Sequence, residues 1–286
     1  MTLRTMKLFP RIIASIGLAT LSASAAGSFK EPVGLQLYSL RAEFTKNVPA
    51  AIEKVKGFGF RDVELAGTYN LSPETYLGML KAAGLNPVAG HFGFDRYEKD
   101  PEGVAKEAKA LGLKFAGTAW IPHKGDFTEA DARHAAEVFN KAGAALKKQG
   151  IQFYYHVHGY EFQKHADGTL FDLLMQETKR DLVAYQMDVL WVVFPGQDPV
   201  GLLNKYGSRW QLMHIKDLKK GVKLGALTGN TQLTNDVPIG TGQMDWPSIL
   251  KAAKKAGVKH YFIEDESPTV LDQIPQSLKY LKTVSW

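Results

Sequence analysis

Five times along this chain a Lys-rich, amphipathic stretch ends in glycine and an apolar run follows at once. The instances are Lys56-Gly57-Phe58-Gly59-Phe60, Lys81-Ala82-Ala83-Gly84-Leu85, Lys109-Ala110-Leu111-Gly112-Leu113, Lys148-Gln149-Gly150-Ile151 and Lys255-Ala256-Gly257-Val258. Glycine just past a helix end adopts the left-handed conformation without a Cβ clash, so it closes the helix and turns the chain into a strand. The lysines ahead of it complement the negative end of the helix dipole. The pattern predicts eight strands near 33–38, 60–65, 86–91, 114–119, 151–157, 183–188, 210–215 and 259–264, with helices such as Pro73 to Ala83 and Ala130 to Lys148 between them. Eight alternating units in about 250 residues match a (β/α)8 TIM barrel, an α/β fold whose active site lies at the C-terminal strand ends. A doubly wound open sheet is the alternative, but no Gly-rich phosphate fingerprint follows the first strand.

The predicted strands end on acids and imidazoles. Val63-Glu64, Gly90-His91, Tyr155-His156, Met187-Asp188, Met213-His214 and Ile263-Glu264 all do so. Side chains alternate along a strand. Phe153, Tyr155 and Val157 therefore share one face and Tyr154, His156 and His158 the other. Met213 and Ile215 likewise oppose Leu212, His214 and Lys216, and Tyr261 and Ile263 oppose Phe262, Glu264 and Glu266. The apolar sets suit a helix layer, so the polar sets point into the barrel mouth. Glu161, Asp188, His214 and Glu264 form an oxygen and nitrogen donor set suited to Mn²⁺, Mg²⁺, Co²⁺ or Zn²⁺. His156 competes with Glu161 for the same ligand position. Glu161 and Glu264 could exchange protons beside a carbonyl on opposite sides of a sugar. Glu64, His91, His156, His158 and Lys216 are candidate substrate contacts, and Trp120 or Trp191 could stack on a sugar ring. Bland readings stand beside these: Glu64 as a solvated or capping group, His91 as a satisfied rim histidine, and the tryptophans as core. His134, His165 and His260 are expected at the surface.

The first 26 residues read as a Sec-type signal peptide. Arg4, Lys7 and Arg11 precede an apolar stretch from Ile12 to Leu21, and Ala23-Ser24-Ala25 supplies a cleavage site. The stretch is too short to span a bilayer, and no later segment looks transmembrane. Cleavage leaves residues 27–286 as one barrel domain, exported to the periplasm and without stable membrane association. It also removes three positive charges, so the net charge falls from +6 to +3. No Lys/Arg tract marks a nucleic-acid path. The chain has no cysteine, so any metal is held by oxygen and nitrogen. Nothing in the sequence specifies an oligomeric state.

Five motifs in order then resemble the sugar phosphate isomerase/epimerase family, the xylose isomerase-like TIM barrels. They are Tyr155-His156-Val157-His158-Gly159-Tyr160-Glu161-Phe162, Met187-Asp188-Val189-Leu190-Trp191 with Gly196-Gln197-Asp198-Pro199, His214-Ile215-Lys216-Asp217, Ile239-Gly240-Thr241-Gly242-Gln243-Met244-Asp245-Trp246, and Phe262-Ile263-Glu264-Asp265-Glu266. The resemblance covers roughly residues 33 to 284. It implies a divalent metal held by Glu161 (or His156), Asp188, His214 and Glu264. Gly240-Thr241-Gly242 resembles the family's GxG loop; with no strand–turn–helix around it, it is not a nucleotide loop. Residues 219–238 form a long connection, the kind that often serves as a lid.

Export argues against phosphorylated sugars as substrates, and no Arg/Lys cluster is evident to clamp a phosphate. The leading expectation is a metal-dependent isomerase or epimerase acting on an unphosphorylated sugar, keto-sugar or polyol. A lyase or dehydratase on a keto-sugar or 3-keto-glycoside shares the same enolate. A non-catalytic sugar-binding barrel is the third expectation.

Overall fold

The computed structural model describes residue 1 and residues 27–286; the signal peptide read over residues 1–26 lies, from residue 2 onward, outside the described residues. Eight parallel strands close into a barrel: β1 (Val33–Gln36), β2 (Asp62–Leu65), β3 (Asn86–His91), β4 (Phe115–Thr118), β5 (Gln152–His156), β6 (Val183–Asp188), β7 (Trp210–Ile215) and β8 (His260–Ile263). Each strand pairs with the next in sequence. β8 returns to β1 with Val33 opposite Tyr261 and Leu35 opposite Ile263. Among the described residues, eight helices of eight or more residues surround them: α1 (Val48–Gly57), α2 (Pro73–Ala82), α3 (Pro101–Ala110), α4 (Glu129–Lys148), α5 (Leu170–Glu177), α6 (Pro199–Tyr206), α7 (Trp246–Ala256) and α8 (Val270–Leu281).

The glycine pattern accounts for the turns. Gly59, Gly84, Gly112, Gly150 and Gly257 all have positive φ, between +70° and +89°, where a Cβ would be strained. At the opposite helix ends, Asn47, Ser72, Asp100, Thr128, Thr169, Asp198 and Asp245 accept from backbone N–H groups of the first turn. Residues 27–29 join the C-terminus, with Gly27 N–H donating to Trp286 O at 2.7 Å. No helix among the described residues is long and apolar enough to cross a membrane.

Alternation divides the core in two. Phe153, Tyr155, Met213, Ile215, Tyr261 and Ile263 pack between sheet and helices. Val88, Ala89, Phe115, Tyr154, Ala184, Leu212 and Phe262 fill the lumen floor. Such layered filling makes the barrel a packed core rather than a pore, so the polar residues one step further along the strands rest on an apolar floor. His260 shares the parity of Phe262 and stacks on it at 6.5 Å. It is half-buried at the base of the lumen, which corrects the expectation of a surface residue.

Residues 219–238 cross the mouth of the barrel. Their base is a two-residue antiparallel clasp, Asp217–Leu218 against Asp236–Val237. The Asp217 carboxylate holds the clasp in place. It accepts from the backbone N–H of Leu218 (2.9 Å), Gly240 (2.8 Å), Gly242 (3.1 Å) and Met244 (3.3 Å), and from Trp246 Nε1 (2.9 Å). A Cβ on Gly242 would lie 2.1 Å from Asp217 Oδ1, so the GxG run is the cradle of a carboxylate.

Candidate metal centre and its cavity

Four buried side chains converge above the lumen floor: His156 from β5, Asp188 from β6, His214 from β7 and Glu264 just after β8. One ligand atom from each lies within 4.8 Å of the others. His156 Nε2 is 3.4 Å from Asp188 Oδ2; His214 Nδ1 is 3.5 Å from the same oxygen and 3.2 Å from Glu264 Oε2. Ligand atoms about 2.1 Å from a shared ion stand about 3.0–3.4 Å apart in octahedral or tetrahedral geometry, so these separations suit one cation.

The hydrogen bonds around the cluster leave the right atoms free. Asp188 Oδ1 caps the short helix Val189–Val193 by accepting from Trp191 N at 3.1 Å, which leaves Oδ2 for the cluster. His214 Nε2 is bonded to Glu64 Oε2, while its buried Nδ1 has no hydrogen-bond partner. Beside Nδ1, Asp188 and Glu264 favour a proton there as well as on Nε2. A divalent ion would take the place of the Nδ1 proton, with Glu64 as the outer partner that keeps the other proton on Nε2. The residues therefore fit a metal.

Charge is tightly balanced here. Burial opposes ionisation of Glu64, but His214 beside it wins and its pKa falls to about 2. Asp188 also falls to about 2, its desolvation outweighed by His156 and His214. Against burial, Lys216 and His214 hold Glu264 well below the carboxylate range. Burial likewise opposes protonation of His214, yet Glu64 and Glu264 hold it well above the usual imidazole value. His91 and His158 behave oppositely: desolvation takes them down to about 4 and about 3, so both are neutral imidazoles near pH 7.

A cavity of about 660 Å³ opens above the cluster. His91, His156, His158, Trp120, Trp191 and Glu264 all line it. Asp188 and His214 lie in the cluster beneath it, and three other expected site residues, Glu161, Glu64 and Lys216, do not reach it. Glu161 is fully buried on the helix side of the barrel wall, so its expected part in metal binding and catalysis is not supported. Gly159, at φ +96°, reverses the chain into the single turn Tyr160–Phe162. That turn brings the Glu161 carboxylate to the Tyr155 hydroxyl and the His158 N–H (2.9 Å), and Tyr155 stacks on Phe139 of α4. Burial raises the Glu161 pKa. His156 occupies the place in the donor cluster that was expected of Glu161. Glu64 is not a substrate contact either. It is fully buried, and both oxygens are engaged by Tyr154 (2.5 Å), Gln186 (2.9 Å) and His214. Lys216 is 1% exposed and held by Glu266 (2.6 Å), Glu264 (3.3 Å) and Asp236 (3.6 Å), which leaves no room for substrate.

The sequence reading also passed over residues that line the cavity. Asp236 reaches it from the end of the lid, with Oδ2 accepting from Glu266 N at 2.9 Å. Burial lifts its pKa to about 7 against the pull of Lys216. Gly229, Asn230, Thr231 and Leu233 of the lid form part of the wall. Asp236 is the one acid in residues 219–238, and nothing local distinguished it from an ordinary loop aspartate.

The profile of the xylose isomerase-like TIM barrel family matches residues 52–284. The chain belongs to that family. An inosose dehydratase of Clostridium beijerinckii is 26% identical over 167 residues, 55% of each chain; the chain thus spans about half the length of the curated relatives it first matches. A sugar phosphate isomerase/epimerase of Parabacteroides distasonis superposes with a TM-score of 0.73 at 26% identity, covering 93% of this chain and 98% of that one. The barrel also shares its fold with the IOLI protein solved with a zinc atom (TM-score 0.67, 13% identity, 87% and 95% covered).

Proposed function

We propose that this barrel is a divalent-metal-dependent carbohydrate lyase. It removes the proton beside the carbonyl of an unphosphorylated keto-sugar or keto-glycoside and expels a substituent from the neighbouring carbon. The observation that carries this reading is the four-donor cluster at the cavity floor, whose His214 nitrogen is aimed at carboxylates and otherwise unpartnered. His156, Asp188, His214 and Glu264 would hold the ion. When bound, it polarises the substrate carbonyl and stabilises the enolate.

The chain's own residues account for the rest. Glu266, on the cavity wall and paired with Lys216, is assigned as the base that takes the α-proton. Asp236, poised near neutral pH, is assigned as the acid that protonates the leaving oxygen as the C–O bond breaks and a C=C bond forms. Neutral His158, whose Nδ1 has no partner, would hydrogen-bond a sugar hydroxyl, whereas both ring nitrogens of His91 are engaged, by Gln36 (3.4 Å) and Gln186 (3.2 Å). Among the described residues no Lys or Arg lines the cavity, whereas Asp95, Asp236, Glu264 and Glu266 do. Arg41 is paired with Glu266 of the cavity wall at 3.4 Å. A phosphate dianion would meet carboxylates and no unpaired Lys or Arg on this wall, which favours a neutral, hydroxyl-rich substrate. The proposed export of the chain agrees with this.

Elimination is preferred over epimerisation because the second glutamate needed on the opposite sugar face, Glu161, lies outside the lumen. Isomerisation is the second reading, favoured by the similarity to the Parabacteroides distasonis protein. Purified protein with Mn²⁺ is incubated in D₂O with keto-sugars and keto-glycosides and followed by NMR. An enone with a released water or alcohol is expected; deuterium at the α-carbon without elimination would select the isomerase. Sugar binding that survives chelator and Glu264→Gln, with no turnover, would instead mark a non-catalytic barrel.

A further inference from the structure

We propose that the outer half of the cavity binds a flat, apolar group attached to the sugar, making the ligand an aryl glycoside; this rests on the reading of the inner half as a sugar site. Exposure separates the two halves. His156 and Glu264 at the inner end are 2% and 8% exposed, whereas Tyr38, Trp120 and Leu233 at the outer end are 43%, 39% and 45% exposed. Cavities of roughly 300–1,000 Å³ hold drug-sized ligands, so one pyranose ring fills only part of the 660 Å³ available here.

The outer wall has the chemistry of an apolar platform. Six large hydrophobic side chains are exposed among the described residues, and three of them line this one cavity. Single exposed apolar residues are ordinary, but a contiguous group marks a binding surface. These three come from separate segments: Tyr38 follows β1, Trp120 follows β4 and Leu233 belongs to the lid. Phe92 and Phe94 line the cavity beside them and are themselves buried. Trp120 is held rigid, stacked on His123 at 5.3 Å and edge-on to Tyr160 at 4.8 Å, so little side-chain freedom is lost on binding. Asp95 and Glu266 on the same wall disfavour an anionic substituent. The cavity is therefore amphipathic along its length, polar at the floor and aromatic at the mouth.

The test is calorimetry on the Mn²⁺-loaded protein with three probes: methyl β-D-glucopyranoside, phenyl β-D-glucopyranoside and methyl β-cellobioside. The phenyl glycoside is expected to bind about ten- to a hundredfold more tightly than the methyl glycoside, the gain typical of burying an aromatic ring. The ratio should collapse toward one in Trp120→Ala and fall in Leu233→Ala, both exposed positions whose replacement spares the core. Equal binding of phenyl and methyl probes, no detectable binding of either, or tightest binding of the cellobioside would overturn the proposal. A preserved ratio without turnover of keto-glycosides would count against the elimination chemistry alone. A ratio near one with turnover intact would count against the aryl site alone.

Discussion

Changing Glu64 to glutamine preserves the volume of the side chain and removes its charge, at a position where every neighbour is a donor. Tyr154 and Gln186 donate to Oε1, and His214 Nε2 is bonded to Oε2. A glutamine offers one acceptor oxygen and an amide that must face donors on one side. If the amide faces Tyr154 and Gln186, two buried donors lose their acceptor, which costs about 1–3 kcal/mol of stability for each group left unsatisfied. If it faces His214, the imidazole proton is driven to Nδ1, the nitrogen aimed at Asp188 and Glu264. In that second orientation the metal site weakens, by about 10- to 100-fold as for other outer partners of a ligating histidine. The assay is Mn²⁺ and Zn²⁺ titration by calorimetry, beside thermal unfolding of the metal-free protein. A Glu64→Gln protein that melts like wild type and binds metal within threefold of it would refute the argument that Glu64 sets the His214 tautomer.

Three further outcomes are expected. His156→Ala should lose about 10²- to 10³-fold in metal affinity, one ligand's share of a site worth about 10–16 kcal/mol, while Glu161→Gln stays within a few-fold of wild type by the same titration. Asp236→Asn should raise Tm at pH 8 and leave it nearly unchanged at pH 4, read by circular dichroism. The sign follows from its raised pKa of about 7: the folded state binds more protons than the unfolded one between the ordinary aspartate value and 7, so stability is lost as pH rises through that window. Gly242→Ala should lower Tm clearly, because its Cβ would sit 2.1 Å from Asp217 Oδ1, and a double variant with Asp217→Ala should recover part of the space but not the hydrogen bonds.

The barrel was legible because its signals are local. Helix closure is written in glycines such as Gly84 and Gly257, and alternation along β5, β7 and β8 correctly separated His156, His214 and Glu264 from the helix-facing residues beside them. Glu161 misled because its direction depends on a single left-handed residue, Gly159, and a one-turn reversal that no periodicity announces. Glu64 looked like any strand-end acid; its burial is created by Tyr154, Gln186 and His214, which are 90, 122 and 150 residues away. Asp236 lies in a loop, where pattern carries no information and only the approach of Lys216 and Glu266 makes it chemically unusual.

The clasp of Asp217–Leu218 on Asp236–Val237 has an evolutionary meaning. Because the segment is tied off at its neck, the barrel experiences the intervening residues only as a loop of some length. Doubling such a loop costs only about 0.6 kcal/mol in closure entropy. Residues 219–235 can therefore be lengthened, shortened or rewritten while the metal floor below stays in register. The clasp makes that stretch an exchangeable cassette, through which one barrel could be retuned from one ligand to another.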